Sequence, residues 1–259
     1  MAKFPFQLLN KHTSSKKHSE SSSHSELKKY LQTNQRYLQI KAGRYIAVFD
    51  RDFCQDAEPL EFIEKIDTLM DKGRILKNDD TCYVSHLTWN SKDVVVKRYN
   101  HKGFIHSLRH TIKRSRARRN WLHGHRLGML NIATPRPLAY IEQRRGLLVW
   151  QSYLVTEYVK GRELKNFLRD DKTSEKKRSI VSQQVAELLD SLSEHKITHG
   201  DLRHSNILIT ESGPVLIDLD GMKIHKFNWT YKVKRPRDIG HFGNTDCGGY
   251  TSFSNGESC

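Results

Sequence analysis

The segment 197–221, ITHGDLRHSNILITESGPVLIDLDG, holds the residues of this chain whose types and spacing could do chemistry. A His-x-Asp-x-x-x-x-Asn run supplies His199, Asp201 and Asn206, and a second apolar stretch ends in Asp218. If strands 207–210 and 215–218 pair antiparallel about the turn Glu211–Gly213, Asn206 falls opposite Asp218, with Asp201 on the loop just before. Phosphoryl transfer needs that layout. One carboxylate orients the attacking hydroxyl and takes its proton, while an Asn and a second Asp hold Mg²⁺ on the nucleotide phosphates. His199 reads as a packing and hydrogen-bonding residue of the loop. Asp220 is open between a further metal contact and a cap of the next turn.

These groups need a scaffold, and the hydrophobic pattern predicts one. Arg44–Phe49 reads as a short strand, and Glu58–Met70 as a helix with Leu60, Ile63, Ile66, Leu69 and Met70 on one face, stopped at Gly73. Thr81–Thr88 and Asp93–Tyr99 form two strands about the turn Trp89-Asn90-Ser91-Lys92. A basic helix over 105–127, with a sparse apolar stripe, stops near Gly128. A hairpin follows, Leu138–Glu142 and Leu147–Tyr158 about the turn 143–146; then comes a helix over Ser174–Glu194 that buries Val181, Val185, Leu188, Leu189 and Leu192. Trp121 and Trp150 sit among apolar periodic neighbours and read as core. The stretch 11–26 is Ser, His and Lys without an apolar residue and is expected to be disordered; the tail from Gly240 is poor in core residues.

The motifs HGDLRHSNIL and LIDLD resemble the catalytic and metal-binding loops of the protein-kinase-like superfamily. The resemblance implies Asp201 as catalytic base, Asn206 and Asp218 as metal ligands, and Arg203 as the residue that steadies the γ-phosphate. Upstream, Asp93-Val-Val-Val-Lys97 resembles the strand whose lysine grips the α- and β-phosphates. LVTEYVKGREL (154–164) resembles the interlobe hinge, whose backbone at Glu157 and Val159 would meet adenine. Within the superfamily the chain resembles the lipopolysaccharide core kinases, the bacterial Kdo/heptose kinase family, on VVVKRYN (94–100), SRARRNW (115–121), TPRPLAYIE (134–142) and DLD (218–220). That implies an α+β, bilobal fold, with an antiparallel N-lobe sheet carrying one main helix and a mostly helical C-lobe. It also implies ATP and Mg as cofactors and a sugar hydroxyl of the lipopolysaccharide inner core, Kdo or heptose, as acceptor. The expected organisation is a polar segment 1–43, an N-lobe 44–156, a hinge and C-lobe 157–239, and a weakly structured tail 240–259.

Three departures from the kinase pattern stand out. No acid lies between Asp93 and Glu142, so the basic helix offers no glutamate to Lys97; either another group holds Lys97 or the site is impaired, and a strand-end lysine reaching for water is the lesser alternative. No G-x-G-x-x-G occurs between Gly73 and Trp89, so a plainer hairpin must cover the phosphates. Gly200 stands where regulated protein kinases carry an arginine, so no phosphorylated activation loop is expected.

Charge narrows the partners. The chain has 44 Lys+Arg against 29 Asp+Glu, a formal +15. Fourteen of those cations, with only Asp93 and Glu142 against them, lie between Lys92 and Arg145. An anionic partner is expected: an acidic, lipid-anchored saccharide and the membrane surface that carries it, met through 92–145. The band has few interleaved aromatics, which argues against nucleic acid. No apolar run approaches the ~18–20 residues of a membrane span, no secretory signal is visible, and Cys54, Cys82, Cys247 and Cys259 are scattered, as in a reducing cytosol. We expect a cytoplasmic monomer, peripheral at the inner membrane. The alternatives are a small-molecule kinase of the aminoglycoside/choline type, where HGDL also occurs, and a catalytically weak kinase-fold module that binds an anionic surface.

Overall fold

The computed structural model describes residues 27–54, 58–100, 114–146 and 148–243. The expectation of disorder over 11–26, the helix turns before 114 and the tail beyond 243 lie outside them.

Seven strands form one antiparallel sheet in the order β1-β2-β6-β7-β5-β4-β3. They are β1 (Tyr37–Ala42), β2 (Tyr45–Asp50), β3 (Arg74–Asp79), β4 (Cys82–Trp89), β5 (Lys92–Tyr99), β6 (Pro137–Arg145) and β7 (Leu148–Glu157). The tight turn between β4 and β5 has both Asn90 (φ 48°) and Ser91 (φ 60°) left-handed, the twist a two-residue hairpin requires. The sheet begins earlier than the sequence pattern indicates, because β1 is paired along its whole length with β2.

Two helices cover this sheet, one on each face, where the sequence indicates one main helix. Helix α1 (Pro59–Lys72) presents Phe62, Ile63, Ile66 and Met70 to Phe49, Val94, Val96 and Ile141. Leu60 points away and is exposed. Helix α2 (Arg116–Met129) lays Ala117, Trp121 and Leu122 on Tyr37, Val48, Tyr99 and Tyr140. Side chains alternate across a strand, so Val94 and Val96 serve α1 while Lys97's neighbour Tyr99 serves α2. Ser115 caps α2: its Oγ accepts from the Arg118 amide (3.1 Å) and donates to buried Glu142 (2.7 Å). Trp121 is fully buried, whereas Trp150 is only half-buried, with the Arg145 guanidinium over its ring at 3.9 Å.

The second lobe is built around α4 (Glu175–Glu194), capped by Ser174, whose Val181, Val185, Leu188 and Leu192 meet Ile197, Ile207 and Leu216. Short α3 (Leu164–Leu168) and α5 (Asn228–Gly243) complete its helices. Helices carry most of its regular structure, and small sheets accompany them. A three-stranded sheet, β11-β10-β8, and a two-stranded pair, β12-β9, frame its loops; they are β8 (Arg162–Glu163), β9 (Ile197–Thr198), β10 (Ile207–Thr210), β11 (Gly213–Leu216) and β12 (Lys223–Ile224). These short strands hold two loops side by side, which a helix cannot do. Residues 240–243, placed in the tail by composition, close α5.

Candidate active site

Two loops converge beneath the sheet: 199–206 between β9 and β10, and 217–222 between β11 and β12. The pairs β9·β12 and β10·β11 clamp both loops at their ends. The backbones touch at Gly200, which has φ +85°, and a Cβ there would sit 2.5 Å from the Gly221 carbonyl oxygen. Glycine at 200 is therefore a packing requirement of this loop pair. His199 is fully buried, and its Nε2 lies 3.0 Å from the Ile217 carbonyl.

The β10·β11 register differs by one residue from the sequence expectation. Ile207 pairs with Leu216 and Thr210 with Gly213, so Asn206 lies opposite Ile217, whose amide donates to the Asn206 carbonyl (2.9 Å). The turn needs only Glu211 and Ser212 outside the ladder. Asp218 regains the site through its backbone: at φ 59°, ψ 66° it is left-handed, which ends β11 and turns its side chain back. Such a conformation in an aspartate is strained and marks a position the surroundings dictate.

Lys97, on β5, reaches across from the first lobe. Its Nζ donates to Asp218 Oδ1 (2.7 Å) and lies 3.0 Å from Asp220 Oδ2. Asp220 is the acid that the helix lacks. Arg116 and Asn120, one turn apart on α2, both donate to its carboxylate, Arg116 at 2.5 Å, and the Tyr99 hydroxyl donates to it at 2.8 Å. In the protein-kinase pattern the helix carries the anion and the strand the cation; here the helix carries a cation and an amide, and the anion comes from the second loop. Asp220 thus spends its carboxylate on Lys97, Arg116, Asn120 and Tyr99. Burial would raise its carboxyl, but Lys97 and Arg116 outweigh that and hold it at about 2. Burial likewise works against the Lys97 ammonium, and Asp220 with Asp218 overcomes it and raises its pKa. Tyr99, buried beside Asp220, is pushed well up.

On the other loop, Asn206 Nδ2 donates to the Asp201 carbonyl (2.8 Å), and its Oδ1 has no hydrogen-bond partner among the described residues. Asp201 is half exposed. Arg203 turns back on it, Nε to Oδ1 at 2.7 Å, and so lies against the expected base rather than beside Lys97. Among the described residues no group of three or more His, Cys, Asp or Glu is arranged to hold a metal unaided. At the hinge, the Glu157 amide donates to the Arg136 carbonyl (3.0 Å) and the Tyr158 amide to the Asp93 carbonyl (3.0 Å), while the Val159 amide has no partner among the described residues. The His86 ring stacks on Tyr158 at 3.9 Å there.

Two features of the site escape the sequence reading. Asp238, on α5, is buried and accepts from the His199 amide (2.5 Å) and the Gly200 amide (2.8 Å), fixing the loop that carries Asp201. Its signal is that it follows a run from Lys223 to Arg237 without an acid. The second is the tip of the β3–β4 hairpin, where the Asp79 carboxylate accepts from the Thr81 and Cys82 amides (2.8 Å each). Those are the backbone donors a glycine-rich loop would turn toward phosphate. Lys77, hydrogen-bonded to Asp79, holds its carboxyl well below the ordinary range, with Thr81 adding to the effect.

A two-lobed molecule with a lysine-bearing strand, a hinge and paired loops carrying Asp201, Asn206 and Asp218 has the protein-kinase-like architecture. The lipopolysaccharide kinase (Kdo/WaaP) family model matches residues 72–234, and the chain belongs to that family. A solved structure of WaaP in complex with acyl carrier protein superposes with a TM-score of 0.52 at 18% identity, covering 74% of this chain and 76% of that one. The EKC/KEOPS complex subunit BUD32 of Debaryomyces hansenii is 33% identical over 102 residues, 36% of this chain. The chain spans 38% of that relative's length.

Proposed function

We propose that this protein is an ATP-dependent phosphotransferase whose acceptor is a hydroxyl of an inner-core sugar of lipopolysaccharide, Kdo or heptose, and that it works at the cytoplasmic face of the inner membrane. The observation that carries the reading is the meeting of Lys97 from one lobe with Asp218 from the other at 2.7 Å, beside the loop in which Asn206 and Asp201 are hydrogen-bonded. Family membership supports the substrate class.

In this reading Asp201 accepts the proton of the sugar hydroxyl as its oxygen bonds the γ-phosphorus and the bond to the ADP oxygen breaks. Lys97 neutralises charge on the α- and β-phosphates. Arg203 leaves Asp201 for the transferring group when nucleotide and acceptor enter. Asn206 Oδ1 and the Asp218 carboxylate are hard oxygen donors, which fits a magnesium ion that takes its other ligands from phosphate and water; the ion would neutralise phosphate charge. The Val159 amide, without a partner among the described residues, and the Glu157 carbonyl are the adenine contacts. Because two carboxylates hold Lys97 in the cleft, the missing helix glutamate no longer favours a non-catalytic module.

The test is transfer of labelled γ-phosphate from ATP to core lipopolysaccharide. Asp201→Asn is expected to slow it by ~10²–10⁴, the range for a lost general base, with the unfolding temperature unchanged. Undiminished transfer removes Asp201 from the mechanism.

A further inference from the structure

The charge concentrated between Lys92 and Arg145 is partly turned inward. Lys97, Arg98, Arg116, Arg136 and Arg144 each pair with a carboxylate of the fold. Helix α5 shows the opposite. Its inner stripe is Tyr231, Asp238 and Phe242. At 3.6 residues per turn, Trp229 and Val233 fall on the far side, and each is 67% exposed; Phe227, just before the helix, is 61% exposed. Lys232 and Arg237 border that apolar stripe, Lys226 lies beside Phe227 ahead of the helix, and Lys234 and Arg235 stand toward the inner stripe. All five cations are exposed, and no salt bridge engages any of them among the described residues. The acid in this part of the helix, Asp238, is spent inside on the catalytic loop.

We propose that this outer face of α5 docks on an anionic phospholipid bilayer. A single helix presents a convex face. Its aromatic rings standing among unpaired cations match a soft, flat, negative surface, with Trp229 and Phe227 entering the headgroup boundary and the cations resting at phosphate level. The same helix touches the catalytic loop, with His241 Nδ1 lying 3.7 Å from Asp201 Oδ1, so docking fixes the active site relative to the surface on which a lipid-anchored acceptor is presented. The docking deepens the placement at the membrane face proposed above and rests on it, but not on the phosphotransfer step.

Flotation of the full chain with vesicles tests the proposal. Binding is expected to equimolar phosphatidylcholine and phosphatidylglycerol, and to be lost on phosphatidylcholine alone. At ~1 kcal/mol, about fivefold, for each cation at such a surface, the double change Lys232→Glu, Arg237→Glu lowers partitioning at least ~25-fold. Phe227→Ser with Trp229→Ser lowers it independently, and both variants keep the parent unfolding temperature because the side chains are exposed. Asp201→Asn floats like the parent, which separates a failure of this proposal from a failure of the catalytic reading. The proposal is overturned if the full chain does not float, if it floats equally on neutral vesicles, or if neither α5 variant changes flotation. Retention on immobilised acyl carrier protein without flotation would also overturn it and assign the face to a protein partner. Self-association abolished by the apolar variant, again without flotation, would overturn it in favour of a second copy of this chain.

Discussion

Replacing Asp220 by Asn separates the network around Lys97 from the rest of the fold, because it keeps the shape and removes the charge. The carboxyl stands at 3.8 in the absence of partners and at about 2 in the folded protein. A difference of nearly two units corresponds to about 2 kcal/mol of stability at neutral pH. The sign follows from the direction: a carboxyl depressed by folding stabilises fully above its unfolded value, and that stabilisation disappears as pH falls through its folded value. Parent protein should therefore exceed Asp220→Asn by at least about 2 kcal/mol at pH 7, since the new amide hydrogens also face Lys97, Arg116 and Asn120, all of them donors. For a domain of this size that is roughly 4–8 °C in the unfolding midpoint. The gap should narrow progressively between about pH 4 and pH 2. Thermal melts of both proteins across that range read the effect. Glu61→Gln, which breaks an exposed ion pair with Lys65 one turn along α1, serves as control, with a change below about 0.5 kcal/mol. Equal midpoints at pH 7, or a gap that stays constant down to pH 2, would refute the claim that Asp220 replaces the helix acid.

Two further outcomes test the loops. Asp238→Ala leaves the His199 and Gly200 amides without their acceptor in a buried place, at about 1–3 kcal/mol for each unsatisfied group; a lowered unfolding temperature with reduced phosphate transfer is expected, and transfer at the parent rate would remove Asp238 from the support of the loop. Asp79→Gly frees the Thr81 and Cys82 amides and removes a negative charge from the hairpin tip, so Mg-ATP should bind more tightly by calorimetry, and weaker binding would show that the hairpin does not cover phosphate.

Most of the local structure was legible in the sequence because it rests on neighbours in the chain. The helix ending at Gly73, the turn at Asn90-Ser91 and the Ser174 cap follow from periodicity and from residues suited to caps and left-handed turns. Strand β1 was harder to read, since its burial comes from β2 and α2 rather than from its own alternation, and β3 is exposed along nearly its whole length. Helix α5 was hidden because it turns only a few residues inward and carries Pro236, which sequence reasoning treats as a break. Arg98 and Arg116 looked like surface charge in the chain, yet each has a carboxylate distant in sequence.

The sequence by itself determined which residues could carry out phosphoryl transfer. Asp201, Asn206 and Asp218 lie within one short stretch, and their types and order constrain the chemistry wherever the backbone goes. Only the tertiary structure decided what holds Lys97, because its partners come from a loop more than a hundred residues away and no local pattern encodes that pairing. It also decided the one-residue register and the left-handed turn at Asp218, which local spacing leaves open. Charge shows the same division. The number of cations is a property of the chain, but whether a cation faces water or a buried carboxylate is set by packing, and that distinction adds α5 to the basic band as a candidate docking surface.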